Sequence, residues 1–315
     1  MGEFEAAYEA VLRTWPQVEV ADLAGPYGTT RVLSSGPPDG PPLVLLPGGG
    51  ATATAWFANA PALSERARVH ALDLPGMAGG TAVSVRDAAG LCGWLDSVLD
   101  AVAGGPVDLA GHSYGGWVAL TYALHAPARV RRLALLDPTQ CFTGFRPGYL
   151  LHALPVLLRP NRRSAAALRR WETGGAALDP AWIAVADAAA EAPKTGRLVT
   201  RPKPSRDRMR GLHLPTLVLL AGRGKAQDAG KAAAGARASL PDVRVEVLPT
   251  ATHHSLPLDP AVEVNRALLA FLAGSGRPRY IGGWLRRRRA TRMPVTAIPT
   301  IRRIARADPS SLFHG

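Results

Sequence analysis

The sequence has few cysteines, no long apolar run and no secretory leader pattern. Its two cysteines, Cys92 and Cys141, lie far apart and do not have the spacing of metal ligands. No stretch approaches the roughly 18 apolar residues that a membrane-spanning helix needs. The first residues, MGEFEAAYEAVLRTWPQ, lack a charged segment followed by an apolar one. We therefore expect a cytoplasmic protein with reduced cysteines.

Acidic residues are scarce near the C-terminal end, and this scarcity explains most of the net charge. A net charge of +13 is typical of nucleic-acid binders. Residues 274–315, however, hold ten arginines and one acid, Asp308, so they carry +9 and leave +4 for the other 273 residues. The body is therefore close to an ordinary globular protein. We expect no nucleic-acid partner, and we interpret 274–315 as a basic, partly disordered extension.

The extension also contains a short apolar stripe. Ile298, Ile301 and Ile304 recur at helical spacing beside arginines, a pattern that favours weak contact with an anionic membrane. Pro294 and Pro299 limit any such helix to about two turns. A solvated extension is the preferred interpretation.

Apolar runs alternate with helical patterns through most of the chain. Runs of nearly continuous apolar character are typical of strands that are covered on both faces. The predicted strands are 43–47, 68–75, 107–113, 131–138, 215–222 and 243–249. The predicted helices between and after them are 84–103, 115–126, 228–239 and 260–273. This alternation predicts an α/β fold with a doubly wound, mostly parallel sheet, to which 17–22 and 29–34 are candidates for antiparallel edge strands.

The alternation breaks between residues 139 and 211. This stretch has helical pieces near 146–158, 161–171 and 180–190, and it is too long for a simple connection between two strands. We expect a helical cap at 139–211, inserted between two strands of a core formed by 1–138 and 212–273.

The stretch LAGHSYGG contains a serine between glycines where a predicted strand ends and a helix begins. Gly111, Ser113 and Gly115 fit the pattern G-x-S-x-G, in which the glycines permit a tight turn that exposes the serine hydroxyl. A plain turn has the same composition, but the preceding VDLA and the following amphipathic pattern supply the strand–turn–helix context. The sequence therefore predicts a nucleophile at Ser113.

A histidine must serve as the base for this serine. His253 lies in LPTATHHSLPLDP, after the last predicted strand, and that loop returns to the edge of the sheet where Ser113 must lie. We prefer His253 to its neighbour His254.

These motifs together resemble the α/β-hydrolase fold superfamily across residues 1–273. The segment LVLLPGGGATATAW is similar to its oxyanion-loop segment, and LAGHSYGGWVAL is similar to its nucleophile turn. The resemblance implies a serine hydrolase with a catalytic triad and with neither a metal nor an organic cofactor. By position it implies that the backbone N–H groups of Gly49 and Tyr114 form the oxyanion hole. Pro47 stands where many members have a histidine, which leaves these backbone donors available.

The acid of the triad departs from the family pattern. Its usual position, three residues beyond the glycine of PTLVLLAG, is Lys225, which cannot stabilise an imidazolium ion. Asp137 ends RRLALLDP, and haloalkane dehalogenases carry their acid at that strand end. Asp228 lies in the usual loop but three residues late, and it is equally suited to capping the following helix. We prefer Asp137 slightly and keep Asp228 as the alternative.

The resemblance predicts an esterase that cleaves an ester or related acyl bond of a small, largely apolar substrate. The main alternative is a ligand receptor or regulatory protein on the same fold that turns substrate over only slowly, because the acid of the triad is displaced. A thioesterase or C–C hydrolase is a further alternative, since fold and triad do not choose among substrates. The sequence does not specify an oligomeric state. Ten apolar residues are candidates for the pocket or cap, with no specificity role assigned: Trp56, Phe57, Met77, Trp117, Phe142, Phe145, Leu150, Leu151, Trp171 and Trp182.

Overall fold

A computed structural model describes residues 2–15, 17–79, 81–193, 198–200, 203–274 and 301–304. The strands are β1 Val18–Gly25, β2 Gly28–Ser35, β3 Pro42–Leu46, β4 Arg68–Leu72, β5 Ala82–Val83, β6 Val107–His112, β7 Val130–Leu136, β8 Thr216–Ala221, β9 Val243–Leu248 and β10 Ile301–Ile304. The α-helices are α1 Glu3–Leu12, α2 Ala60–Ser64, α3 Ala88–Val102, α4 Ser113–His125, α5 Pro147–Leu158, α6 Arg162–Thr173, α7 Pro180–Glu191, α8 Arg206–Arg210, α9 Ala229–Ser239 and α10 Ala261–Ala273.

The strands form one mixed sheet, in the order β10-β1-β2-β4-β3-β6-β7-β8-β9, with the short β5 paired to β2. The strands from β4 through β3, β6, β7 and β8 to β9 run parallel, whereas β1 and β2 pair in antiparallel fashion. The predicted doubly wound, mostly parallel sheet is therefore confirmed, including the antiparallel N-terminal pair. Because the parallel strands end at one edge, the residues that follow β3, β6, β7 and β9 converge there.

The sheet is buried on both faces, which explains the continuous apolar runs of its central strands. Along β3, Val44 and Leu46 pack into the cluster with α3, α4 and α9, while Leu43 and Leu45 pack into the cluster with α1, α2 and α10. Each of these four side chains is almost completely buried. Burial of one such side chain contributes roughly 1.5–3 kcal/mol, so the two clusters hold the sheet rigidly beneath the site.

Helices α5, α6 and α7, followed by the short α8, are inserted between β7 and β8, where the sequence predicts a helical insertion. Within the insert α6 packs against α5 and α7, and α7 packs against α1. Glu3 of α1 forms an ion pair with Arg162 at the start of α6. The sequence interpretation had not identified α1, which here joins the body of the protein to the insert.

The structure corrects one prediction in the C-terminal extension. Ile301 and Ile304 were expected at helical spacing, but Ile301–Ile304 is a strand, β10, that pairs with β1 in antiparallel fashion. Without β10, β1 would be an edge strand with unpaired backbone N–H and C=O groups, and residues 301–304 pair with these groups. The helical preference of a segment with three spaced isoleucines is too weak to outweigh these backbone hydrogen bonds. The rest of the extension, 275–300 and 305–315, lies outside the described residues. Among the described helices, none combines the length and apolarity that a bilayer crossing requires.

Candidate active site

Ser113 lies at the sharp turn between β6 and α4, with a backbone φ of 51°. This left-handed conformation costs a residue with a side chain roughly 1–3 kcal/mol, and such strain is typical of functional turns. Gly111 and Gly115 flank the turn where backbone approaches backbone. A Cβ atom on Gly111 would collide with the carbonyl oxygen of Gly115, and one on Gly115 would lie 2.5 Å from the carbonyl oxygen of Leu46. The glycines are therefore required for the turn that holds the hydroxyl at the sheet edge.

The hydroxyl of Ser113 meets the imidazole of His253. The Ser113 Oγ to His253 Nε2 distance is 2.9 Å, although the residues are 140 positions apart. Both residues are buried, with exposed fractions of 8% for Ser113 and 4% for His253. A base within hydrogen-bond reach of a nucleophile is the arrangement that proton abstraction requires.

Asp137 follows β7 and contacts the other nitrogen of the same imidazole. Its Oδ2 lies 2.5 Å from His253 Nδ1, while its Oδ1 accepts hydrogen bonds from Gln227 Nε2 at 2.9 Å and from the Ala221 N–H at 3.3 Å. Burial alone raises the pKa of Asp137, but the contact with His253 and these two donors outweigh it, so the pKa lies below its ordinary value. Burial likewise lowers the pKa of His253, yet the hydrogen bond and charge of Asp137 leave it above its ordinary value. The pair thus favours a charged imidazole beside a charged carboxylate.

Asp228 does not reach the histidine in this structure. It is the N-cap of α9, where its Oδ1 accepts the Lys231 N–H at 2.9 Å and its Oδ2 pairs with Arg146 at 3.2 Å. Lys225, at the usual position of the acid, points its ammonium group to the Trp171 carbonyl and lies 4.8 Å from the centre of the Trp171 ring. The geometry therefore brings Ser113, His253 and Asp137 together and leaves Asp228 in the capping role that the sequence had offered as its alternative.

Glu172 of α6 ties the helical insert to the histidine loop. Its side chain is fully buried, its Oε1 accepts the N–H groups of His253 at 2.9 Å and Lys225 at 2.8 Å, and its Oε2 accepts the N–H of His254 at 2.9 Å. A carboxylate that accepts several backbone donors fixes their positions strongly. Its negative charge also raises the pKa of His253.

The two other histidines at the site, His112 and His254, are uncharged and form hydrogen bonds with its surroundings. His112, beside the nucleophile, donates from Nε2 to the His253 carbonyl at 3.0 Å, and burial lowers its pKa to about 3. Burial also lowers the pKa of His254 well below its ordinary value, and its Nε2 lies 3.0 Å from the hydroxyl of Tyr149. His254 is thus held by the insert, whereas the ring of His253 faces the serine.

The loop after β3 lies beside the start of α4. A Cβ atom on Gly49 would be 3.5 Å from Tyr114 Cβ, which places the two residues of the expected oxyanion hole side by side. The next amide, that of Gly50, donates to Met77 Sδ at 3.0 Å, so it is already engaged. The Tyr114 side chain donates from its hydroxyl to the Val199 carbonyl at 2.8 Å.

Half of the ten apolar candidates serve as core. Trp56, Met77, Trp117, Phe142 and Trp182 are buried in the hydrophobic clusters. The site is bordered instead by the aromatic side chains of α5 and α6. Tyr149 lies edge-on to His253 with ring centres 6.1 Å apart and stacks on Phe145, while Trp171 stacks on His152. Leu150 and Leu151 are exposed on α5.

Sequence reasoning missed four residues that contact the site, namely Gln227, Glu172, His112 and Tyr149. A signal existed for Glu172, since it is the one acid between Asp137 and Asp179 in a stretch rich in arginine. No local pattern distinguishes Gln227. The hydrogen bond of His112 to the histidine loop depends on a partner 141 positions away, so no local pattern indicates it.

Comparison with known proteins places this geometry in a family. A family model described as "Alpha/beta hydrolase family" matches residues 43–267. The chain belongs to that family. It is 27% identical over 284 residues to the carboxylesterase YbfK of Bacillus subtilis, covering 86% of this chain and 94% of the relative. It is also 26% identical over 282 residues to the carboxylesterase nap of the same organism, covering 84% and 90%. The crystal structure of carboxylesterase CesB (YbfK) superposes with a TM-score of 0.80 and 26% identity, covering 86% of this chain and 97% of that one.

Proposed function

We propose that this α/β-hydrolase is a serine carboxylesterase that cleaves an ester of a small, largely apolar substrate through an acyl-enzyme. The observation that carries the proposal is the continuous contact of Ser113 with His253 at 2.9 Å and of His253 with Asp137 at 2.5 Å. The likeness to two carboxylesterases over most of the chain supports the same bond type.

In the proposed reaction, Ser113 Oγ attacks the ester carbonyl carbon while His253 Nε2 takes the hydroxyl proton. The tetrahedral oxyanion is held by the N–H groups of Gly49 and Tyr114. His253 then gives its proton to the leaving alcohol as the C–O bond breaks, which leaves the acyl group on Ser113. A water molecule then attacks the acyl carbon while His253 accepts a proton from the water. His253 returns this proton to Ser113 Oγ as the carboxylic acid product departs. Asp137 holds the histidine tautomer and stabilises the imidazolium in both halves.

The test is covalent labelling followed by a substrate series. A fluorophosphonate should label the native chain at Ser113, and Ser113→Ala should abolish labelling while the far-UV circular dichroism stays native. Hydrolysis of p-nitrophenyl esters of increasing acyl length should show many turnovers with one preferred length. Labelling that persists in Ser113→Ala, or a single turnover on every ester, would refute the proposal. Faster cleavage of matched thioesters or of C–C bonds alpha to a carbonyl would instead reassign the bond type.

The receptor alternative depended on the missing acid at Lys225. Since Asp137 contacts His253 with good geometry, the reason for that alternative is weaker. Many turnovers per active site on one short ester would exclude it, whereas tight binding without turnover would favour it.

We further propose the chain organisation and setting that the sequence predicts. A core of 1–138 and 212–273 carries the triad, a cap of 139–211 covers it, and 274–315 forms a basic, solvated extension with no nucleic-acid partner, for which weak contact with an anionic membrane is the alternative. Cys92 and Cys141 are free and buried, which fits a reducing compartment such as the cytoplasm. A chain ending at residue 274 should keep esterase activity on soluble esters. Loss of folding would show that the boundary is wrong.

A further inference from the structure

Helix α5 carries an exposed stripe of leucines on its outer face. At one hundred degrees per residue, positions 150, 151, 154, 157 and 158 fall on one side of the helix. Leu151, Leu157 and Leu158 are exposed by 68%, 70% and 72%, and Leu150 and Leu154 by nearly half. Contiguous apolar surface of this kind is uncommon on a soluble monomer and marks a contact surface.

The opposite face of the same helix is anchored at the active site. Ala153 is buried, and the hydroxyl of Tyr149 lies 3.0 Å from His254 Nε2. The Tyr149 ring also borders His253, at 6.1 Å between ring centres. The leucine stripe therefore lies on the outer side of a helix whose inner side contacts the two histidines of the site. A surface bound to the stripe is therefore separated from His253 by the width of one helix.

The sequence segment that contains this helix carries charge of one sign. From Pro138 to Trp171 the sequence contains six arginines and no acid. Three of the six are paired with acids from elsewhere in the chain, through Arg146–Asp228, Arg162–Glu3 and Arg169–Asp187. Arg159 and Arg163, just beyond the stripe, are exposed, as is Arg170 on α6. Basic residues beside an exposed apolar stripe match the surface of an anionic bilayer.

The same charge argues against a second copy of the chain as the occupant. A symmetric dimer through α5 would bring two arginine-rich faces together, because the same patch is used on both sides of a two-fold interface. Like charges at such an interface repel each other.

We propose that the leucine stripe of α5, with Arg159 and Arg163, seats on the surface of an anionic lipid bilayer and presents the active site to esters dissolved there. This inference rests on the proposed esterase function and names its substrate class, esters held in a lipid phase. It concerns the insert and is independent of any contact made by the basic extension.

The experiment is co-sedimentation of the full chain with phosphatidylglycerol vesicles at low salt, with phosphatidylcholine vesicles as the comparison. The wild-type protein should sediment with the phosphatidylglycerol vesicles but not with the phosphatidylcholine vesicles, and added salt should release it. Leu157→Gln with Leu158→Gln removes two apolar side chains without changing charge, and should weaken binding at least tenfold. Arg159→Gln with Arg163→Gln should weaken it by about tenfold.

Matched controls lie elsewhere on the surface. Val262→Gln alters a side chain exposed by 78% on α10, and Arg66→Gln alters an exposed arginine that precedes β4, at the opposite edge of the sheet. Both should bind the vesicles as wild type does. Equal loss in the controls, unchanged binding in the α5 variants, or no sedimentation of wild type would each overturn the proposal. A wild-type dimer in analytical ultracentrifugation that the two leucine changes dissolve, without vesicle binding, would assign the stripe to a second copy instead.

Activity measurements separate this proposal from the esterase function itself. The leucine variant should hydrolyse a short soluble ester at the wild-type rate but a long-chain ester embedded in phosphatidylglycerol vesicles at least tenfold more slowly. A parallel loss on both substrates would mean that α5 acts on the site rather than on the lipid, and would overturn the proposal. Ser113→Ala should sediment like wild type, so vesicle binding is measurable even if the chain proves not to be an esterase.

Discussion

Asp137 Oδ2 lies 2.5 Å from His253 Nδ1, across 116 positions of sequence, and the two residues are 1% and 4% exposed. Asp137 reaches this position because β7 adjoins β6, the strand that ends just before Ser113, in the parallel sheet. The same strand order brings the loop after β8, with Gln227, against the second carboxylate oxygen. In the usual family pattern the acid comes from the loop after β8. Here that loop supplies Gln227, which holds Asp137 from the end of the neighbouring strand β7.

The first prediction separates the two candidate acids. Asp137→Asn should lower kcat on the order of 10⁴-fold, because an amide holds the wrong histidine tautomer and does not stabilise the imidazolium. Asp228→Asn is the matched control. Asparagine caps a helix as well as aspartate does, so activity should stay within about twofold of wild type. Steady-state kinetics on one short ester measures both. A larger loss in Asp228→Asn would return the acid to the loop after β8.

The second prediction concerns pH. The pKa of His253 lies above its ordinary value of 6.5, and the base must be neutral to accept the Ser113 proton. The value of kcat/KM should therefore fall as pH is lowered through a pKa above 6.5, and should reach a plateau at higher pH. The profile from pH 5 to 9 on a substrate without titrating groups measures it. An acid limb centred well below 6.5 would contradict the assignment of His253 and Asp137 as a charged pair.

How much of this could be read from the sequence differs between the sheet and the site. The central strands were predictable because both of their faces are buried, so apolar residues such as Val44 and Leu45 follow one another without interruption. Ser113 was predictable because its turn constrains neighbouring residues, Gly111 and Gly115. The acid was harder to assign, because Asp137 and Asp228 both follow apolar strands. What distinguishes them is the order of the strands in the folded sheet, which the sequence does not give.

Contacts made from the insert were beyond sequence reasoning for a similar reason. Glu172 and Tyr149 lie on helices whose pattern reports burial and exposure but not which loop they cover. Their partners, His253 and His254, come from a loop that is about 80 to 105 positions later in the chain. Glu172 stands out in the sequence as a single acid among arginines, but this pattern does not indicate which residues its side chain contacts.

The third prediction is that Glu172 is a positioning residue for the histidine loop. Glu172→Gln keeps the shape but replaces one acceptor oxygen with an NH₂ group that faces a backbone N–H, and it removes a charge that raises the pKa of His253. We expect kcat to fall by about tenfold or more and the acid limb of kcat/KM to shift to lower pH. The pH profile is decisive, because a loss of stability alone would not move it.

Glu191→Gln, on α7 of the same insert, is the matched control. This residue is exposed, so kinetics and pH profile should match wild type. If Glu172→Gln loses activity only in proportion to the fraction unfolded, with an unshifted acid limb, Glu172 merely stabilises the insert.

The fourth prediction tests the turn that presents Ser113. In Gly115→Ala the new Cβ would lie 2.5 Å from the carbonyl oxygen of Leu46, a backbone atom of β3 that has no room to move within the buried sheet. Relief requires α4 to shift away from β3, which separates Ser113 and Tyr114 from the loop that contains Gly49. We expect a loss on the order of 3 kcal/mol in the free energy of unfolding, and a fluorophosphonate labelling rate at least tenfold lower. Gly144→Ala is the control, because a Cβ there meets nothing within 4 Å, and its stability should stay within about 0.5 kcal/mol of wild type. Urea unfolding and labelling rates measure both variants. A Gly115→Ala protein of native stability with an unchanged labelling rate would show that the close approach of α4 to β3 is not needed to hold the nucleophile.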